Sequence, residues 1–151
     1  MITFSKQPFQ VVEDNFHLIK EHWDEVVRDE RPLEPFWDVY REIEKIGNLV
    51  CFCVYRNDEV IGYAVFVIQP DVHSRNVKIA SNNTVFLKKE HRKNGVGRAF
   101  LEYCDEELEK IDVQRIAWHM TPVVDFSGAL KSMNYRHFAT IYVRDIGGQN
   151  V

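Results

Sequence analysis

The sequence predicts an α/β domain, a mixed central sheet with helices on its faces, in the order β-αα-βββ-α-β-α-β. Three observations carry that expectation. Apolar residues recur at helical spacing in the first third of the chain. The middle holds two consecutive runs that are apolar on both faces. A glycine-containing basic loop then joins a strand-like run to a helix-like one.

Phe9–Val12 reads as a short first strand. Phe16, Ile19, Trp23, Val26 and Val27 then mark an amphipathic helix, with Asp14 as its N-cap. Leu33, Phe36, Trp37, Tyr40 and Ile43 define a second helix. Pro32 and Pro35 fit only its first turn, and Gly47 is its stop. Leu49–Tyr55 is a buried central strand. The turn Arg56-Asn57-Asp58-Glu59 leads into its hairpin partner, Val60–Ile68. A polar loop, Pro70–Asn76, precedes a third strand at Val77–Leu87. After the basic loop Lys88–Asn94, a helix spans about Gly95–Lys110. Val96, Phe100, Tyr103, Leu108 and Ile111 are its inward residues. The last elements are a strand at Arg115–Met120, a short helix at Asp125–Met133 and a strand at His137–Arg144.

The 151 residues suit one domain spanning positions 1–151. At 45% apolar and 28% charged residues the composition is that of an ordinary globular domain. A chain of this size buries roughly 70% of its unfolded surface, so it needs no disulfides. The N-terminus has no basic-then-apolar signal pattern, and no apolar run reaches the roughly eighteen residues of a membrane span. Three cysteines are an odd number, and Cys51 and Cys53 share one strand face. Free thiols in a reducing cytoplasm are the simple expectation. No Cys/His spacing resembles a zinc site, so no metal is expected. The formal net charge of −4 disfavours nucleic acid as a partner. A local basic patch at Lys88, Lys89, His91, Arg92 and Lys93 suits a phosphorylated small molecule.

The chemistry concentrates in Val85–Leu101, VFLKKEHRKNGVGRAFL. Arg92-Lys93-Asn94-Gly95-Val96-Gly97 fits Arg-x-x-Gly-x-Gly between a strand and a helix. Glycines allow close backbone approach to a ligand. The N–H groups of the loop and of the first helical turn have no internal partners and converge on one spot. With the helix dipole they form an anion site suited to a pyrophosphate. A Walker A loop is absent, and position 100 is Phe where a dinucleotide fingerprint needs a third Gly.

This segment resembles motif A of the GNAT superfamily of N-acetyltransferases, and the element order matches that fold from about residue 9 to 145. Met133, Asn134 and Tyr135 stand where that family often has Leu-Gly-Phe. His73-Ser74-Arg75, Ala80-Ser81-Asn82-Asn83 and His119 resemble small acetyltransferases of tailed-phage genomes. A host-cytoplasmic location follows if the chain is phage-encoded.

The resemblance implies a bent strand, splayed from its neighbour, that receives acetyl-CoA as co-substrate. Phe86 and Leu87 fall at the thioester, and the Leu87 N–H would polarise the acetyl carbonyl. Backbone amides of Arg92, Lys93, Asn94, Gly95, Val96, Gly97 and Arg98 would hold the pyrophosphate. Glu34, in the loop before the second helix, falls at the acceptor pocket. The implied partner is an amine acceptor, small molecule or protein. No membrane is implied, and monomer and homodimer both stay open.

Three familiar groups are missing. Leu130 stands where many relatives carry an acidic Tyr, and Val123 where many carry a pantetheine-binding Asn. Asn83, near the place of a general-base carboxylate, cannot serve as one. The candidates for handling the proton are therefore His119 and His73, with Tyr135 and Tyr142 behind them. Trp37 and Tyr40 read as core, and Asp105-Glu106-Glu107 as a solvated helix face. The leading expectation is an enzyme that acetylates a primary amine: a protein lysine, a protein N-terminus or a small molecule. The alternatives are a non-catalytic acyl-CoA-binding or protein-interaction module on the same fold, and a toxin-like enzyme acting on aminoacyl-tRNA, which the acidic balance disfavours.

Overall fold

The structure, a computed structural model, describes residues 1–26 and 32–147. Its elements are β1 (Ile2–Gln7), α1 (Phe9–Asp14), α2 (Phe16–Val26), α3 (Trp37–Lys45), β2 (Leu49–Arg56), β3 (Glu59–Pro70), β4 (Lys78–Leu87), a 3-10 turn (Lys89–His91), α4 (Val96–Glu109), β5 (Arg115–Ala117) and α5 (Ser127–Ser132). Val27 of the expected first helix lies outside the described residues. The strands form one five-stranded sheet in the order β1-β2-β3-β4-β5. Every neighbouring pair is antiparallel except β4 and β5, which are parallel.

The central strands are buried on both faces, as their continuous apolar runs require. Phe52, Val54, Phe66 and Leu87 face α4 and pack with Phe100, Cys104 and Leu108. Cys51, Cys53, Tyr63, Val65 and Phe86 face the other way, against Phe9, Val12 and Leu18 of α1 and α2. The three cysteines are free and buried, Cys51 and Cys53 on one face as their spacing dictates. At Gly62 the hairpin partner comes very close to β4: an added Cβ would meet the Phe86 carbonyl oxygen at 2.6 Å.

Three expectations are corrected. Phe9–Val12 is helix, not strand. Pro8 caps it in an extended conformation, and Phe9 and Val12, three apart, bury the same helical face. The first strand is instead Ile2–Gln7, which pairs antiparallel with β2. The expected strand His137–Arg144 does not form. β5 pairs with β4 over only three residues, and residues 137–144 make no backbone–backbone hydrogen bond within the described chain. Phe138 sits instead near the guanidinium groups of Arg115 and Arg136, at 5.3 and 5.5 Å. Finally, Asp105 is not on a solvated face. It is half-buried and accepts a hydrogen bond from the Tyr135 hydroxyl, which ties the end of α5 to α4.

Candidate functional site

The parallel strands β4 and β5 pair only at Ile79–Ser81 with Arg115–Ala117, and then part. Asn82 holds the fork open. The residue is 6% exposed, and its side chain donates to the His119 carbonyl at 2.9 Å and accepts from the His119 N–H. One side-chain amide thus takes the place of a strand partner's backbone pair. Asn83 is the extra residue of a bulge, since Val65 and Phe66 face Thr84 and Asn82. Beyond it the ladder sets which way each N–H points. Lys88 N–H bonds the Ile61 carbonyl, so Leu87 and Val85 turn theirs away from β3, toward the opening.

A cavity of about 940 Å³ runs through this opening. On one side it is lined by α2 and by Pro32–Pro35, Trp37 and Tyr40. On the other it is lined by Gly97 and Arg98 at the start of α4 and by residues that follow β5.

The basic loop closes the second side. Asn94 and Gly95 both adopt left-handed backbone, at φ 56° and 75°. This turn points successive N–H groups into one concavity at the start of α4. The Arg92 and Val96 N–H groups bond the Lys89 and Lys93 carbonyls. Those of Asn94, Gly95, Gly97 and Arg98 have no hydrogen-bond acceptor among the described residues. An added Cβ at Gly97 would meet nothing within 4 Å.

The Arg92 side chain turns inward. Its Nε donates to the Leu87 carbonyl at 2.6 Å, its Nη atoms grip both Glu25 oxygens, and its guanidinium lies 5.5 Å from the Phe86 ring centre. The hydrogen bonds from Arg92 hold the Glu25 carboxyl below its usual range.

One turn before Glu25, His22 stacks on Phe86 with ring centres 4.9 Å apart. Its Nδ1 lies 3.0 Å from the Tyr63 hydroxyl and 3.2 Å from that of Thr84. Burial pushes the imidazole down to about 4, so it is neutral at physiological pH. The sequence reading missed His22. The available signal was a histidine three residues after Ile19, on the apolar face of its helix.

Of the residues singled out from sequence, Glu34, Phe86, Leu87, Arg92, Gly97, Arg98 and His119 all line the cavity. Lys93, Asn94, Gly95 and Val96 form the adjoining turn, with the Val96 side chain packed into the core. His119 is exposed at the β5 rim, and its backbone is the part engaged by Asn82. His73 lies elsewhere, on the exposed loop after β3, where its N–H bonds Asp71. Tyr135 is turned to Asp105, and Tyr142 is 92% exposed in the unpaired C-terminal segment. Leu130 is buried in α5. No group of His, Cys, Asp and Glu among the described residues is arranged to hold a metal ion.

Residues 14–127 match the model of the acetyltransferase (GNAT) family. The fold matches a transcriptional regulator from Bacillus halodurans at TM-score 0.76 and 15% identity, over 97% of this chain and 100% of that one. It also matches a Clostridium acetobutylicum protein described as a predicted acetyltransferase and solved with acetyl-CoA, at TM-score 0.73 and 12% identity over 96% of both chains. An aminoglycoside acetyltransferase from an uncultured soil metagenomic sample, in complex with sisomicin, matches at TM-score 0.73 and 9% identity over 96% of both chains. A search of curated proteins finds no match to the sequence.

Proposed function

The chain belongs to the acetyltransferase (GNAT) family, and we propose that it transfers the acetyl group of acetyl-CoA to a primary amine by direct attack in a ternary complex. The observation that carries this reading is the continuous cavity through the β4–β5 fork. It joins an N–H-rich turn on one side to a neutral imidazole and aromatic walls on the other.

Acetyl-CoA supplies an acetyl carbon activated by a thioester. The Asn94, Gly95, Gly97 and Arg98 N–H groups, at the positive end of α4, suit its pyrophosphate. Leu87 N–H, aimed into the fork, suits the acetyl oxygen and strengthens as charge gathers there. The fork admits the acyl arm between strands that would otherwise be paired.

The amine nitrogen forms the new N–C bond as the C–S bond breaks and its electron pair leaves with sulfur. One proton leaves the amine and one joins the thiolate. A lysine-like amine, with a pKa of about 10.4, must first lose a proton. His119, at the cavity rim, is our candidate for relaying it outward. His73 would take part only if its loop moved toward the acceptor. Glu34, exposed at the other rim, is the candidate first contact for an incoming ammonium.

The test is thermal unfolding of protein freed of carried-over CoA. At a hundredfold excess over its dissociation constant, acetyl-CoA should stabilise the fold by about 2.7 kcal/mol. No shift at saturating acetyl-CoA removes the reading. Release of CoA thiol with an amine present separates an enzyme from an acyl-CoA-binding module.

A further inference from the structure

The α2 half of the cavity has a chemistry of its own, and its reading rests on the acetyl-transfer function proposed above. Its wall is aromatic. Phe9 stacks on Tyr40 at 4.6 Å and packs on Trp37 at 5.9 Å, and Trp23 lines the same space. Among the described residues only two carboxylates reach this half. Glu25 is bound through both oxygens by Arg92, and Glu34 lies exposed at the rim. The polar floor is neutral: His22, Tyr63 and Thr84, clustered beside Phe86.

We propose that this half is the acceptor subsite for a monoamine carrying an apolar or aromatic group, its nitrogen received by His22 Nε2 beside Phe86. With the ring proton on Nδ1, facing the Tyr63 and Thr84 oxygens, Nε2 offers a lone pair. Nε2 has no hydrogen-bond partner among the described residues. An N–H of the amine bonded there leaves the nitrogen's own lone pair free to point along β4 toward the fork.

The wall decides the rest of the molecule. Each further ammonium group needs a carboxylate or water, and burying one unpaired against aromatic carbon is strongly unfavourable. An aryl or alkyl group instead gains from the buried apolar area and from offset ring contacts. A polycation such as an aminoglycoside meets no matching set of charges on this floor.

The experiment is a steady-state panel with acetyl-CoA, read as release of CoA thiol, using 2-phenylethylamine, spermidine, sisomicin and free lysine. Calorimetry measures acetyl-CoA binding in parallel. 2-Phenylethylamine should have a kcat/KM at least tenfold above each of the others. Trp37→Ala should raise its KM and reduce that preference. His22→Ala should lower its kcat/KM at least tenfold with acetyl-CoA affinity unchanged. His22→Gln, whose amide oxygen reaches the place of Nε2, should recover part of the loss, and His22→Asn should not. If His22→Ala does not fold, the Gln and Asn pair carries the test. A preference for spermidine, sisomicin or lysine overturns the proposal. So does turnover of no amine by protein that binds acetyl-CoA, or a full rate in both His22→Ala and His22→Asn. Failure to bind acetyl-CoA at all sinks the acetyl-transfer reading instead.

Discussion

At the scale of single residues, His22, proposed above to receive the amine, also bears on stability. The imidazole is buried between Phe86 and two hydroxyls and is held at about 4, against 6.5 when free. Burial disfavours its charged form, an effect that the nearby Arg92 reinforces and Glu25 partly opposes. The unfolded chain therefore takes up this proton first as pH falls. The stability gained from a neutral His22 is complete above pH 6.5 and declines as pH drops toward 4, by up to about 3 kcal/mol. Glu25 acts lower. Its folded-state value is depressed below 4.5, so its contribution is held above that pH and lost beneath it. Urea unfolding at intervals from pH 7.5 to 3.5 should show wild type holding its stability down to about 6.5 and losing it below. His22→Gln should flatten the slope above 4.5 while leaving the loss below it. Equal slopes in the two proteins would mean that His22 is solvated in the folded state.

At the scale of elements, the loop entering α4 makes the sharpest prediction. Gly95 has φ 75° and open space around it, so Gly95→Asp meets no clash but carries the strain of a left-handed backbone, which Asp bears better than most residues. Its carboxylate would face the turn where we propose the pyrophosphate binds. Acetyl-CoA affinity should fall more than tenfold by calorimetry, while the free protein stays folded with its thermal midpoint lowered by no more than about 5 °C. Normal affinity in the folded variant would move the phosphate site elsewhere. This element was legible because its signal is local: two glycines and basic residues between a strand and a helix. So were the buried hairpin and the Gly47 helix stop, whose φ is 82°. The elements misread were those decided by tertiary partners. Phe9 and Val12 fit a short strand or one helical turn equally well, and only their common burial decides. Residues 137–144 have every mark of a strand by composition, yet a strand forms only where a neighbour offers an edge. Asn82 was legible only as one of two asparagines. Its role as a stand-in for backbone pairing depends on where β5 departs, which no sequence window contains.

At the scale of the whole molecule, the two halves of the cavity are tied by one side chain. Arg92 belongs to the basic loop that enters α4, yet it bonds the Leu87 carbonyl on β4 and both oxygens of Glu25 on α2, and it lies against Phe86. The loop, the strand presenting Leu87 N–H and the helix presenting His22 therefore share one planar, five-donor group. The fork gives the opening, and Arg92 fixes the position of its two walls relative to each other. Arg92→Lys keeps the charge but offers a compact ammonium that cannot satisfy the carbonyl and both carboxylate oxygens in this geometry. The pair is only partly buried, so the loss should be modest, about 1–2 kcal/mol. A chain of this size loses roughly 2–4 °C of thermal midpoint per kcal/mol. The more telling measurement is coupling. Acetyl-CoA affinity should fall in Arg92→Lys and also in Glu25→Gln, although Glu25 lies on α2 and not in the turn proposed to hold the pyrophosphate. The double variant should lose less than the sum of the two, because both changes break the same link. Additive losses would show that Arg92 and Glu25 act on the site separately, and the two halves of the cavity would then be set without this bridge.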